Sequence, residues 1–523
     1  MKKRVVCIFL AAIFLMASTA LNVFADSASV TLNSISDKKP GDTVIISGAS
    51  SLGETTVKVV APNTTTLYLN VLNGATFSDS IALPIDAATG IYTVVAGKGT
   101  TVATTTFKVT SSGGGGGGGG GGSKEIKTVP PDTGNKEINL KAILDTSTGI
   151  AKASISANDL AKAAEAATAG ADGVKTIVVK LETVTGAKGE AIEFVKGMVD
   201  KTSATQNIRV ETEIGILQIP NSMLNNLDNI ASGETVQLEI VKADKAALPE
   251  DIKAAIGDRP IIELNLKING SVVAWNNESA PVTVSIPYAP TAAELADPEH
   301  ITVWYIDGTG KAVAVPTGKY DPATGMVTFT TTHFSKYAVV YVNKTFNDIA
   351  SYSWAKKAIE VMASKGVISG TTTESFTPGS EIKRADFMLL LVKALGLSAK
   401  ASGNFADVSA NAYYADALAT AKKLGIATGV GNNKFNPDDK ISRQDMMTLI
   451  DRAMKVAKKE LPAGSNADLE KYTDKSSIAS YASQSVSTLI RNGIVTGDGV
   501  KVNALGNATR AETAVLIYRI YNK

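Results

Sequence analysis

Lys383-Arg384-Ala385-Asp386, Ser442-Arg443-Gln444-Asp445 and Thr509-Arg510-Ala511-Glu512 are three versions of one tetrapeptide in the last third of a 523-residue chain. Each stands at a fixed distance from an aromatic-led turn: Asp348, Asp407 and Asp474 precede the three arginines by 36 residues. The second copy follows the first at 59 residues, since Phe376-Thr377-Pro378 returns as Phe435-Asn436-Pro437, and Gly366 and Gly370 return as Gly425 and Gly429. The third follows at 67 residues for its Asp and Arg, with a one-residue slip that moves the glycines to Gly493 and Gly497. Repeats of this size are units that bury their apolar faces on one another. Helices are expected over 354–363, 386–395 and 445–454, with Phe346, Phe405 and Tyr472 in the core.

These residues resemble S-layer homology modules, the wall anchors of many bacterial surface proteins. The matching stretches are Phe346-Asn347-Asp348-Ile349, Phe405-Ala406-Asp407-Val408 and Tyr472-Thr473-Asp474, the three glycine loops, and the Thr-Arg-Ala-Glu box kept whole only in copy three. The resemblance covers about 175 residues, with modules expected at 344–400, 403–462 and 468–523. It implies an α-helical triplet arranged as a pseudo-threefold prism. It also implies grooves that bind an anionic secondary cell-wall polymer carrying ketal-linked pyruvate on N-acetylmannosamine.

The other end of the chain agrees with export. Lys2, Lys3 and Arg4 precede an apolar run over 5–16, and Val23-Phe24-Ala25 offers small residues where signal peptidase reads, so residues 1–25 are expected to be a signal peptide. No later run approaches the ~20 apolar residues of a membrane helix. Cys7, the single cysteine, lies inside the signal, which leaves no disulfide and no thiolate metal site. Formal charge is +2, and loss of the three leading cations leaves −1, so no global field gathers nucleic acid. The expected location is secreted, at the cell wall.

A multidomain body is expected between signal and anchor. Residues 26–110 carry short Val-, Thr- and Ile-rich runs such as Thr43-Val44-Ile45-Ile46 between turn signals such as Lys39-Pro40-Gly41-Asp42, an all-β rhythm that suggests an immunoglobulin-like sandwich. Ten glycines at 113–122, within a linker over 111–134, cannot pack and predict a flexible coil of about 15 to 20 Å end to end. Residues 135–343 predict a β-rich α+β domain: a helix near 156–169 capped by Ser156 or Asn158, strands at 176–181, 208–212, 236–241, 261–268 and 282–286, and a hairpin at Asp307-Gly308.

Catalytic chemistry is hard to assemble. Only His300 and His333 are present, too few for a His-rich metal centre, and no cofactor is expected. His333-Phe334-Ser335 resembles the cleavage tripeptide of self-cleaving β-sandwich domains, where the serine hydroxyl attacks the preceding carbonyl and the histidine takes the proton. Against it stands a capping His333 and a core Phe334. With three tryptophans in all, the chain lacks the many sugar-stacking aromatics of a polysaccharidase. The expectation is therefore a non-enzymatic surface protein with a structural or adhesive role, in contact with the wall polymer and with other surface-layer proteins. The alternative is an anchored polysaccharide hydrolase or a protein self-cleaved at Phe334-Ser335.

Within the repeats, Arg384, Arg443 and Arg510 stand where a helix begins, and a guanidinium fork beside a helix N-terminus suits an anion. The bland alternative pairs each arginine with the acid of its own box. The resemblance adds Trp354, Tyr413 and Tyr481 as sugar faces, with Asp348, Asp407 and Asp474 and the glycines Gly370, Gly429 and Gly497 at the groove. Copy one, with Lys383 as an extra cation, is expected to bind first.

Overall fold

The structure is a computed structural model that describes residues 29–62, 66–83, 87–98, 101–110, 137–170, 173–195, 206–225 and 233–523. The expected signal peptide and glycine linker lie outside the described residues. The chain divides into two compact units, residues 1–124 and 125–523.

Alternation builds the first unit. In Thr43–Ser50 the side chains of Val44 and Ile46 are buried while Ile45 faces out, and Val57 and Val59 do the same in Glu54–Val60. Two antiparallel sheets result. One holds Val30–Leu32, Thr43–Ser50 and Thr76–Ala82; the other runs Thr66–Asn73, Glu54–Val60, Gly90–Lys98, Thr101–Val109. Tyr92 stacks on Phe107 at 5.3 Å in the core between them.

The second unit contains two larger sheets. A nine-stranded sheet runs Ala312–Val315, Ile301–Ile306, Lys336–Tyr341, Ile261–Ile268, Thr235–Lys242, Gly189–Val195, Ile150–Ser154, Ile143–Asp145, with Ser271–Val273 paired off Ile261–Ile268. A seven-stranded sheet runs Lys319–Asp321, Met326–Thr331, Val282–Pro287, Ile216–Pro220, Gln206–Glu211, Lys175–Leu181, Glu137–Leu140. Alternate residues such as Ile177, Val179, Leu238, Ile240, Val282 and Val284 fill one shared core. The helix Ala157–Ala166 begins at Ser156, whose hydroxyl accepts from Asp159 N at 3.1 Å.

Each repeat copy then contributes two helices: Ser353–Ser364 and Arg384–Leu395, Ala415–Lys423 and Arg443–Val456, Ser480–Arg491 and Arg510–Tyr521. Their apolar faces form a single core spanning all three copies. The backbone closes it into a ring. Ile382 N donates to Ala508 O at 3.0 Å, Ala508 N to Ile441 O at 3.4 Å, and Ile441 N to Ile382 O at 3.3 Å.

Packing continues across the boundary expected at 343/344. Lys365, buried at the end of the first helix of copy one, donates to Ile301 O at 3.1 Å and Gly318 O at 2.8 Å in the β-rich part. Tyr518 OH donates to Glu299 Oε1 at 2.6 Å, and His300 Nδ1 lies 2.8 Å from Ser364 Oγ. A Cβ on Gly366 would meet Ala314 Cβ at 2.5 Å, whereas the matching Gly425 and Gly493 face open space. Copy one alone of these three positions is pressed on the sheets.

Candidate functional site: grooves between the helical copies

The box helices are held by their neighbours' loops. Arg384 N donates to Asp439 O and Ala385 N to Pro437 O; Arg443 N and Gln444 N donate to Gly506 O and Ala504 O; Arg510 N and Ala511 N donate to Ser380 O and Pro378 O. The first two amides of each helix are therefore satisfied within the protein. This corrects the expectation of an open helix N-terminus beside each arginine.

The guanidinium groups follow the same cyclic order. Arg384 Nε donates to Phe435 O at 3.0 Å and Nη1 to Asp445 Oδ2 at 3.1 Å, with the guanidinium 4.9 Å from the Phe435 ring centre. Arg443 Nε donates to Val502 O at 3.1 Å and Nη1 to Glu512 Oε1 at 3.0 Å. Arg510 Nε donates to Phe376 O at 2.8 Å and Nη2 to Ser369 O at 2.7 Å, with its guanidinium 4.4 Å from the Phe376 ring centre. Each arginine thus enters the next copy, and the third returns to the first. Where an acid is paired it is the next copy's box acid, not the arginine's own.

Two cavities show the composition of a groove. The first, about 480 Å³, is lined by the Val367–Thr371 stretch, Phe376, Asp386, Leu389, Leu390 and Lys393 of copy one, Tyr413 of copy two and Arg510 of copy three. The second, about 400 Å³, is lined by the loop of Gly429, Phe435, Asp445 and Arg452 of copy two, Tyr481 of copy three and Arg384 of copy one. Trp354, Tyr413 and Tyr481 are 58%, 70% and 56% exposed, so their rings are not used in the core, and of the three Trp354 lines neither cavity. Tyr413 OH donates to Asp386 Oδ1, and Tyr481 OH donates to Asp445 Oδ1 at 2.7 Å. Burial, then those carboxylates, push both phenols up, that of Tyr481 to about 12.

The turn aspartates face their own loops. Asp348 accepts from Phe376 N at 2.9 Å and Thr377 N at 2.7 Å; Asp407 accepts from Phe435 N and Asn436 N; Asp474 accepts from Val502 N and Asn503 N. The amide bonds hold Asp348 and Asp407 below the usual carboxylate range against the opposing, largest effect of burial. Gly370, Gly429 and Gly497 sit where a Cβ would meet a carbonyl oxygen of their own loop at 2.3, 2.5 and 2.2 Å, so loop closure accounts for all three. Lys383 does not line the first cavity: its Nζ pairs with Asp438 Oδ1 at 2.7 Å on an exposed surface. The cavity's cations are Arg510 and Lys393, the latter nine residues after the box arginine of its own copy, and Arg452 and Arg519 hold the same offset. That recurrence was available in the repeat register and marks residues the sequence reading missed.

At His333-Phe334-Ser335, the Ser335 hydroxyl donates to Ile306 O at 3.1 Å, and no hydrogen bond joins it to His333 among the described residues. His333 packs edge-on to Tyr305 at 4.7 Å, its Nε2 lacks a partner, and burial pushes its pKa down.

A family model described as the S-layer homology domain matches residues 345–388, 404–447 and 471–514. Amylopullulanase of Thermoanaerobacterium thermosulfurigenes is 30% identical over 355 residues, 67% of this chain and 18% of that protein. Exoglucanase XynX of Acetivibrio thermocellus is 37% identical over 183 residues, 34% of this chain and 16% of that protein. The surface-layer 125 kDa protein of Lysinibacillus sphaericus is 32% identical over 178 residues, 33% of this chain and 14% of that protein. The chain spans less than a fifth of the length of these relatives. They overturn the expectation of a non-enzymatic chain: two of the three are named as polysaccharide-acting enzymes, and one of those aligns with two thirds of the chain.

Proposed function

We propose that this chain, which carries three S-layer homology domains and is a secreted, cell-wall-anchored surface protein, holds to the wall by binding an anionic polysaccharide in the grooves between its helical copies. The observation that carries this reading is the first cavity, where an arginine, an exposed tyrosine and a glycine loop come from three different copies. A guanidinium fork suits a carboxylate or phosphate, and an aromatic face suits a sugar ring. The finer identification of the ligand as a ketal-pyruvylated secondary polymer rests on the family resemblance alone, and the cyclic contacts support the pseudo-threefold prism. In this reading 344–400, 403–462 and 468–523 are the anchors, 26–110 is an immunoglobulin-like sandwich and 135–343 is a β-rich body displayed outward for a structural or adhesive role. The full chain should pellet with native walls and stay in solution with walls stripped of secondary polymer by acid; equal pelleting contradicts the mechanism.

A second reading has its own observation. The 355-residue match to amylopullulanase is about twice the length of the helical triplet, so it extends into the β-rich part. On this reading the chain is a wall-anchored polysaccharide hydrolase whose β-rich part carries the catalytic chemistry. Reducing-sugar release from pullulan by the purified full chain tests it, and none above buffer counts against it.

A further inference from the structure

We propose that the copy-one groove is the anion-selective site of the triplet and that Lys393 is its specificity-determining residue, gripping one oxyanion of the wall polymer jointly with Arg510. The assignment rests on the polymer-binding reading above and deepens it. Its basis is an asymmetry between grooves whose sequence markers look alike.

In the second groove both cations are engaged inside the protein. Arg384 is paired with Asp445, and Arg452 Nη1 donates to Ile426 O at 3.3 Å. The third copy repeats the pattern, with Arg443 on Glu512 and Arg519 Nη1 donating to Ile494 O at 2.8 Å. In the first groove neither cation has a carboxylate in ion-pair contact among the described residues. Arg510 gives Nε and Nη2 to two neutral carbonyls, and Asp386, the acid that would answer it, is hydrogen-bonded by Tyr413 and reaches Arg510 only through longer-range attraction.

Lys393 is half-buried, and burial alone pushes its ammonium below the ordinary lysine range. It lines the same cavity as Arg510, beside Val367, Ile382, Leu389 and Leu390. An ammonium held against apolar walls without a partner is costly, and an arriving anion removes that cost. Copies two and three show why lysine matters here. Arginine at this offset reaches the loop carbonyl, whereas the shorter, single-headed lysine leaves its charge in the cavity.

The test uses the full chain and native cell walls, with affinity read from pelleting. Lys393→Met should weaken binding about tenfold, the size of one lost charge-assisted contact, while Lys383→Met, which removes an exposed cation outside the cavity, should change it less than about threefold. Lys393→Arg, which keeps the charge, should recover most of the affinity, and the melting temperature of Lys393→Met should not fall. A brief mild-acid treatment that cleaves ketals before phosphodiesters identifies the source: Lys393-dependent binding is lost if the oxyanion is a ketal carboxylate and kept if it is a phosphate. Wild-type selectivity for native walls that survives intact in Lys393→Met overturns the assignment alone. Equal pelleting of wild type with native and polymer-stripped walls overturns the polymer-binding reading and this assignment with it.

Discussion

Arg510 of the third copy lies over the ring of Phe376 of the first, its guanidinium carbon 4.4 Å from the ring centre and its Nε on the Phe376 carbonyl at 2.8 Å. The contact joins residues 134 positions apart and closes the helical triplet on itself. Arg510→Ala removes a cation–π contact and two charge-assisted hydrogen bonds, and the expected loss is about 2–3 kcal/mol of stability. Urea unfolding followed by far-UV circular dichroism measures it; a change below about 0.5 kcal/mol, the size of an ordinary surface substitution, would show that the closure does not depend on this residue.

Lys383 occupies the N-cap of Arg384–Leu395 without a side-chain cap, where Ser442 and Thr509 accept from the third helical amide at 3.2 Å in the other copies. Lys383→Thr should therefore add about 1 kcal/mol. Wall binding should stay the same, because the lost pair with Asp438 is exposed and lies outside the cavity. Arg384→Ala, by contrast, should lower stability, because its bonds to the Phe435 carbonyl and to Asp445 are lost. Calorimetry and pelleting of both variants separate the two effects.

Thr377 has φ 53°, and Asn436 and Asn503 hold the same left-handed position in the other copies at 54° and 55°. A β-branched residue is strained there, while asparagine tolerates it. The amide of Thr377 is kept in place by Asp348 at 2.7 Å. Thr377→Asn should raise stability by about 0.5–1 kcal/mol, and a destabilised variant would mean that the Thr377 hydroxyl, which donates to Phe376 O at 2.7 Å, outweighs the strain.

Lys365 has its ammonium pushed from 10.5 to about 7 by burial, with Lys319 adding to the effect and Glu299 opposing it. Its Nζ also lies 5.6 Å from the Tyr521 ring centre. Between pH 7 and 10.5 the folded protein holds fewer protons on this group than the unfolded chain. Stability should therefore rise with pH across that window and show no dependence on Lys365 below it. Lys365→Met should flatten the rise; an unchanged slope in urea melts at pH 7.5 and 9.5 would refute the role of this lysine.

Local patterns were legible without coordinates. Ser156 as a cap and the apolar strand runs around Ile177 and Ile240 depend on neighbours a few residues away, and the repeat register marked Phe346, Phe405 and Tyr472 as core. The hydrolase relatives were not legible in the same way, since a count of aromatics describes this chain and not the longer proteins it resembles in part.

By itself the sequence determined the unit of construction: a repeat in register at Asp, Gly and Arg, a helix start at each box, and β-rich regions before it. Short-range physics suffices for that, because caps, periodicity and turn residues act within a turn or a strand. Only the tertiary structure decided which copy each side chain serves. The ring of hydrogen bonds through Ile382, Ile441 and Ala508 rotates every arginine into its neighbour's loop, and no spacing within a copy encodes that rotation. It also decided that Lys383 is paired at the surface while Lys393 lines the groove, because the partners and neighbours that distinguish them lie on other copies or other loops.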